Sequence, residues 1–322
     1  MKISIWFLSL CLFLTSYARS QSKVDSLFVS QNHPTAFQSI QDAIDSVRAF
    51  LDHKTVINID SAVYNEKIVI PSWCQNIELI GEDKETTIIS YDDHSGRVVD
   101  GVKLTTFTSF TMLVQGNGIQ LKNITVKNTS CNQGQAVALH VEGARFSALN
   151  SNILGCQDTL YLGAASSRQY YNNCFIEGTT DFIFGSSTAF FENCTIKSLK
   201  NSFITAASTP KENRYGMVFY KCTLTAKEGI TKVYLGRPWR PYASTVFIKT
   251  TMGSHIVPQG WDPWDGDKIF PNKDKTAFYA EHKSEGSGAA PEERAHWSRQ
   301  LTKSESLQYR KNQVLGENFG EL

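Results

Sequence analysis

The chain has 322 residues, of which 41% are hydrophobic and 20% charged, the balance of a globular protein that buries a substantial core. Lys and Arg total 32 against 31 Asp and Glu, a formal net charge of +1, so nothing favours nucleic acid or an anionic membrane as the partner. The seven cysteines include no C-x-x-C pair and no tight His/Cys cluster, which argues against a zinc site.

The first twenty residues have the pattern of a secretory signal peptide. Lys2 supplies the positive start, Ile3 to Leu14 a short apolar stretch, and Ala18-Arg19-Ser20 the small residues of a cleavage site. That apolar run falls short of the ~20 residues a membrane span needs. Residues 1–20 are therefore expected to be removed on export, leaving 21–322 as one domain in a compartment that permits disulfides.

A strand-like piece, Ser26 to Val29, comes first in the mature chain. Phe37, Ile40, Ile44, Val47 and Phe50 then recur at helical spacing, predicting a helix over 37–50 with Thr35 as N-cap, placed to cover the end of a sheet. From Thr55 the period changes: V-I-N-I-D, K-I-V-I-P and N-I-E-L-I-G are short strands separated by turns.

One strand keeps returning. Asn123-Ile-Thr-Val126, Asn150-Ser-Asn-Ile153, Asn173-Cys-Phe-Ile176, Asn193-Cys-Thr-Ile196 and Lys221-Cys-Thr-Leu224 are spaced 27, 23, 20 and 28 residues apart. Strand-built self-similarity at that period predicts a solenoid, here a parallel β-helix, rather than an antiparallel sandwich, which needs no recurring tetrapeptide. Asn should stack in a ladder at the turns, and Cys174, Cys194 and Cys222 should stack inside as reduced thiols. Beyond Gly286 the composition turns to Gly, Ser, Ala and Pro, then to a charged stretch from Glu292 to Gln313. Residues 286–322 are expected to form a tail with short helices packed on the outside.

The repeat brings distant acids together. Gln135 to Gln157 is 22 positions and Asp158 to Asp181 is 23, each about one coil. Residues one coil apart occupy adjacent strands, ~4.8 Å apart between backbones, so Gln135, Gln157, Asp158 and Asp181 should share one face. Two carboxyls that close do not both ionise easily; one keeps its proton as an acid and the other is free to attack. The two amides can donate to a developing oxyanion. Arg237 is the best-placed partner for the ionised carboxylate, and Trp239, Tyr161, Phe184 and Trp261 offer flat faces for sugar rings. Singly, a Gln here is an ordinary turn residue, an Asp an ordinary cap, and Arg237 beside Pro238 a loop brace. Their coincidence on one face, among aromatics, favours chemistry. No G-x-S-x-G elbow, P-loop or strand-following G-x-G-x-x-G occurs. His140-Val-Glu142 opens like a zinc deaminase signature whose P-C-x-x-C half is missing.

At these residues the sequence resembles the pectin methylesterase (pectinesterase) family, which removes methyl groups from esterified polygalacturonate. The matching segments are Tyr64-Asn-Glu66, Gln135-Ala-Val-Ala-Leu139, Gln157-Asp-Thr-Leu-Tyr161, Asp181-Phe-Ile-Phe-Gly185, Leu235-Gly-Arg-Pro-Trp239 and Gly260-Trp-Asp-Pro-Trp264. The resemblance implies an all-β, right-handed parallel β-helix with no metal or organic cofactor. It implies Asp181 as nucleophile, Asp158 as general acid then base, Gln135 and Gln157 as oxyanion hole, and Arg237 as the holder of Asp181. Trp239, Tyr161, Phe184, Trp261 and, on a shorter Thr-Thr-Phe match, Phe107 are expected to contact substrate. The expected partner is pectin (homogalacturonan), met by a secreted monomer with no inhibitor-like region ahead of it. Cys156 departs from the family, where Tyr or Asn often precedes the Gln-Asp pair. The alternatives are a pectin-cleaving glycosidase or lyase on the same scaffold, or a non-catalytic carbohydrate-binding solenoid. The Gln pair, which serves an acyl oxyanion, and the intact acid pair weigh against each in turn.

Overall fold

The computed structural model describes residues 24–317 and 319; the leader expected over residues 1–20 lies outside the described residues. Among these the chain winds into coils whose strands fall into three long parallel sheets of 11, 8 and 7 strands, with one small antiparallel hairpin at Val98–Lys103. One coil shows the plan: Phe146–Leu149 in the first sheet, Asn152–Leu154 in the second and Leu160–Leu162 in the third. The next coil repeats it with Arg168–Asn172, Phe175–Gly178 and Ile183–Gly185, each strand pairing in parallel with its predecessor. This is the right-handed parallel β-helix of the sequence reading.

The recurring tetrapeptide marks the bend from the first sheet to the second. Asn123, Asn150, Asn173 and Asn193 sit there with φ between 47° and 56°, followed by Lys221, Lys249 and Lys283 at 51° to 55°. Asn tolerates this left-handed conformation better than most residues, and its amide adds a ladder. Asn150 Nδ2 donates to Asn123 Oδ1 at 2.9 Å, and Asn173 Nδ2 to Asn150 Oδ1 at 3.1 Å. The residue after the bend points inward, where Cys174, Cys194 and Cys222 are buried free thiols. Their Sγ atoms reach Ala148, Tyr171 and Phe191 carbonyls one coil back.

Register also stacks the core. Tyr171, Phe191, Phe219 and Phe247 occupy one position on consecutive coils, with ring centroids 4.6, 4.5 and 4.5 Å apart. Each such pair adds ~0.5–1.5 kcal/mol beyond the area it buries. At the far end of the chain Val314 and Leu315 cover outward-facing Tyr170, Phe190 and Val218 of the first sheet.

The N-terminal helix is shorter than its apolar spacing predicts. It spans Ile40–Asp45, not 37–50, and its N-cap is Ser39 rather than Thr35, with Ser39 Oγ accepting from Asp42 N at 3.0 Å. Phe37 is instead drawn into a bridge with Val29. The carboxylate of Glu66 accepts from both Ile40 N and Gln41 N at 3.0 Å, a charged cap on the positive end of the helix. The Tyr64-Asn-Glu66 signature is thereby explained as structure: it pins the helix that closes the end of the core with Ile40, Ala43 and Ile44.

Candidate active site

Two turns into the third sheet carry the acids. Asp158 and Asp181 each lie two residues before a strand, Leu160–Leu162 and Ile183–Gly185, which pair Leu160 with Ile183. The carboxylates are therefore in register, one coil apart, with Asp158 N donating to Thr180 O and Asp181 N to Phe203 O. Both residues have positive φ, 64° and 49°, a conformation Asp tolerates and β-branched residues do not. At each turn the carboxylate lines a common cleft on the outer side of the sheet.

That cleft holds about 350 Å³ and brings together Gln135, Gln157, Asp158, Asp181, Arg237 and the rings of Phe107, Phe184, Trp239 and Trp264. Hollow size does not single it out. A larger space of about 500 Å³ beside the C-terminal segment has, among the described residues, Glu212 as the one carboxylate in its lining. The paired acids and amides are what distinguish the smaller cleft.

Arg237 grips Asp181 with two hydrogen bonds, Nε to Oδ1 at 3.0 Å and Nη2 to Oδ2 at 2.7 Å. Its guanidinium is itself held between rings, 4.0 Å from the centroid of Phe203 and 3.6 Å from that of Trp264. Arg suits this sandwich because its planar fork both stacks and pairs bidentately. Burial, then the charge of Asp181, push the Asp158 carboxyl up to about 8 against the pull of Arg237. Burial also raises Asp181, but the hydrogen bonds and charge of Arg237 oppose the shift. With the guanidinium bonded to Asp181 and not to Asp158, the negative charge is favoured on Asp181 and the proton on Asp158.

Residues of the third sheet stack in register as His140, Tyr161, Phe184, Ala206 and Arg237. The last three line the cleft, whereas Tyr161, expected to contact substrate, is packed among Phe107, His140 and Phe184 outside that lining, and His140 is buried. Phe107, 42% exposed, rises over Tyr161 with ring centroids 5.0 Å apart. Tyr161 packs against Phe184 at 4.7 Å, and Phe184 against Trp239 at 5.9 Å.

Trp261 is a correction. The expectation that it contacts substrate fails because it is 2% exposed and lies inside the coil, between Phe247 and Tyr279. It extends the internal aromatic stack, and Trp264 takes the place in the cleft. Trp264 has φ 57° after Pro263, and Lys273 packs 4.4 Å over its ring while pairing with Asp267 at 2.6 Å. A buried lysine so placed props the ring against Arg237 from behind. Thr106 and Ala206 also line the cleft unpredicted, and so does the pairing of Cys131 with Cys156 stand outside the expectations. The segment Gly260-Trp-Asp-Pro-Trp264 carried the signal for Trp264, and the Thr-Thr-Phe match contains Thr106.

A family model described as Pectinesterase matches residues 26–318. Over 285 residues the chain is 34% identical to Pectinesterase 31 of Arabidopsis thaliana, covering 86% of this chain and 88% of that protein. It spans about half (50%) of a probable pectinesterase/pectinesterase inhibitor of the same plant, also 34% identical. Among solved structures, pectin methylesterase from carrot superposes with a TM-score of 0.84 at 29% identity, covering 92% of this chain and 94% of that one. The pectin methylesterase of Erwinia chrysanthemi gives 0.81 at 30% identity, covering 92% and 98%.

Proposed function

The chain belongs to the pectinesterase family, enzymes that hydrolyse the methyl esters of pectin, and we propose that it does so through a covalent acyl-enzyme on Asp181. The observation that carries this reading is the asymmetry of the two acids: one clamped by Arg237 as an anion, the other raised to about 8 and protonated.

In the first half-reaction an Asp181 oxygen attacks the ester carbonyl carbon. The carbonyl electrons move onto its oxygen, where the side-chain amides of Gln135 and Gln157 donate hydrogen bonds. Collapse breaks the bond to the methoxy oxygen, Asp158 gives that oxygen its proton, and methanol leaves. The substrate acyl group is then an anhydride on Asp181. Asp158, now a carboxylate, takes a proton from water as the hydroxide attacks the same acyl carbon. Asp181 departs as a carboxylate, and Asp158 has its proton back. Ester and water become acid and methanol, with both side chains returned to their starting states.

The substrate is a polysaccharide, and the aromatic wall of Phe107, Phe184 and Trp239 offers apolar faces to its sugar rings. Export after loss of residues 1–20 is part of the proposal, supported by the leader-like start and by a Cys131–Cys156 disulfide, since such bonds persist mainly in oxidising compartments. The mature region from residue 21 acts as a single catalytic unit.

Incubation with methylated polygalacturonate is expected to release methanol while creating no new reducing ends. New ends without methanol would overturn the esterase reading in favour of chain cleavage. Trp264→Leu, which removes the ring over Arg237 and keeps bulk, is expected to lower kcat/KM about tenfold, the scale of a desolvated cation–π contact. An unchanged kcat/KM would show that Phe203 alone suffices to hold the guanidinium.

A further inference from the structure

The two oxyanion amides arrive on different coils, and the link between those coils is unusual. Cys131 lies four residues before Gln135, and Cys156 immediately precedes Gln157; the two form a disulfide with Cα atoms 5.4 Å apart. Backbone ties between the same coils begin just after Gln135, with Ala136 N donating to Gln157 O at 3.0 Å and Ala138 N to Thr159 O at 2.8 Å.

The two arms differ in firmness. Cys156 is buried, and its carbonyl accepts from Thr179 N at 2.8 Å and Thr159 Oγ1 at 3.0 Å, so the Gly155–Asp158 arm is fixed to the following coil. The Gln135 arm is anchored behind by Asn128, whose amide donates to the carbonyls of Asp93, Ser109 and Val137 and accepts from Ser130 N. Between Ser130 and Gln135 the chain is surface loop, with residues 131–133 exposed, and the Gln135 carbonyl accepts from Ser95 N at 2.8 Å, on the loop that leads into the Val98–Lys103 hairpin. An exposed loop reaching a catalytic donor is a weak platform for oxyanion stabilisation, which depends on donors fixed before the charge develops.

We propose that the Cys131–Cys156 disulfide is a positioning staple for the oxyanion hole, holding Gln135 at the spacing from Gln157 that the tetrahedral intermediate needs. This rests on the roles given to the two glutamines under "Proposed function". The staple touches no substrate; it acts through Gln135. A dithiol can remove it by exchange: a thiolate attacks the exposed Cys131 sulfur, the S–S bond breaks, and both cysteines become thiols as the reductant closes to its own cyclic disulfide. Cys74, Cys174, Cys194 and Cys222 are already free and buried, so among the described residues dithiothreitol has one disulfide to open.

The test uses the native enzyme with and without dithiothreitol, alkylation and mass measurement counting the two new thiols, beside a Cys131→Ser/Cys156→Ser variant. Circular dichroism and a thermal midpoint above the assay temperature establish that each form is folded. Opening the staple is expected to lower kcat about tenfold, less than the ~10²-fold or more for losing an oxyanion donor outright, with KM within about twofold, and reoxidation should restore it. In a Gln135→Ala background, opening should produce no further loss of kcat. Full kcat after verified reduction overturns the proposal, and so does a loss that multiplies in full with that of Gln135→Ala, because then the staple acts on something else. Full kcat in Gln135→Ala alone would instead remove the oxyanion role beneath it. Should the double cysteine variant fail to fold, reduction of the native enzyme carries the same comparison.

Discussion

Asp181→Asn is expected to lower kcat for methanol release by at least about 10⁴-fold, the scale on which loss of a catalytic nucleophile is felt, while pectin still binds. The substitution is nearly isosteric and suits the backbone, because Asn accepts the φ of 49° at this turn; Asp181→Ala would mix chemical loss with backbone strain. An amide oxygen is too weak a nucleophile to form the acyl-enzyme. Arg237 remains between Phe203 and Trp264, so the cleft wall persists, although its charge has lost its counter-ion. Breaking a buried pair costs ~3–5 kcal/mol when the remaining charge is sealed from water. Arg237 keeps 19% of its side chain exposed, so a smaller loss of stability and a folded protein are expected. A second consequence follows from the same charge balance. The Asp181 anion helps to raise Asp158 while Arg237 lowers it, so neutralising residue 181 should bring the Asp158 titration below about 8. Calorimetric binding of a methylated oligosaccharide, set beside methanol assays, separates the two readouts. Turnover above about one part in a hundred of the native rate in a folded variant would remove Asp181 from the nucleophile's role.

Much of this site was legible because a solenoid converts sequence spacing into distance. Once Asn150, Asn173 and Asn193 are recognised as the same bend on successive coils, a separation of 23 residues between Asp158 and Asp181 becomes one strand spacing, as the register shows. Arg237 was harder to place by counting, since the longer loop after Thr209 intervenes; its pairing with Ala206 in register, and thence its reach to Asp181, comes from the sheet. What spacing could not supply was the side to which a residue outside the repeat turns. Trp261 and Trp264 are three residues apart and chemically alike, yet a bridge to Gly236 turns the first inward and the left-handed turn at Trp264 sends the second over Arg237. The short helix fails for a related reason. Its apolar period runs on past both ends, but Glu66, distant in sequence, fixes its start and Phe37 is taken by Val29. Tertiary partners, invisible to a local period, decide both. The disulfide belongs with these cases: Cys131 lies in a loop with no place in the repeat, so its partner had no spacing to announce it.

Asp158→Asn is expected to separate activity from stability. In the proposed mechanism this removes the general acid, so kcat should fall by about 10²–10⁴-fold, and the pH dependence should change shape. In the native enzyme kcat/KM should rise as Asp181 ionises, above the ordinary carboxylate value of 3.8, and decline as Asp158 loses its proton near 8. The residual activity of the variant should lack that alkaline limb. Stability moves the other way. Asp158 has a folded value of about 8, whereas an unfolded Asp titrates at ~3.9. The folded protein thus binds a proton that the unfolded chain has released, and the unfolded state gains relative to the native one as pH rises from about 4 to about 8. At pH 7 that difference is worth ~2–4 kcal/mol against the fold. Asn cannot ionise in either state and tolerates the φ of 64° at this position, so the variant should be more stable than the native enzyme at pH 7 by that amount. Near pH 3, below the unfolded value, the gain should vanish, since Asp158 is then largely protonated in the folded and unfolded chains alike. Urea unfolding at the two pH values reads the effect directly. Equal gains at both would mean that Asp158 is not held protonated by its burial, and the acid of the first half-reaction would have to be sought elsewhere in the cleft.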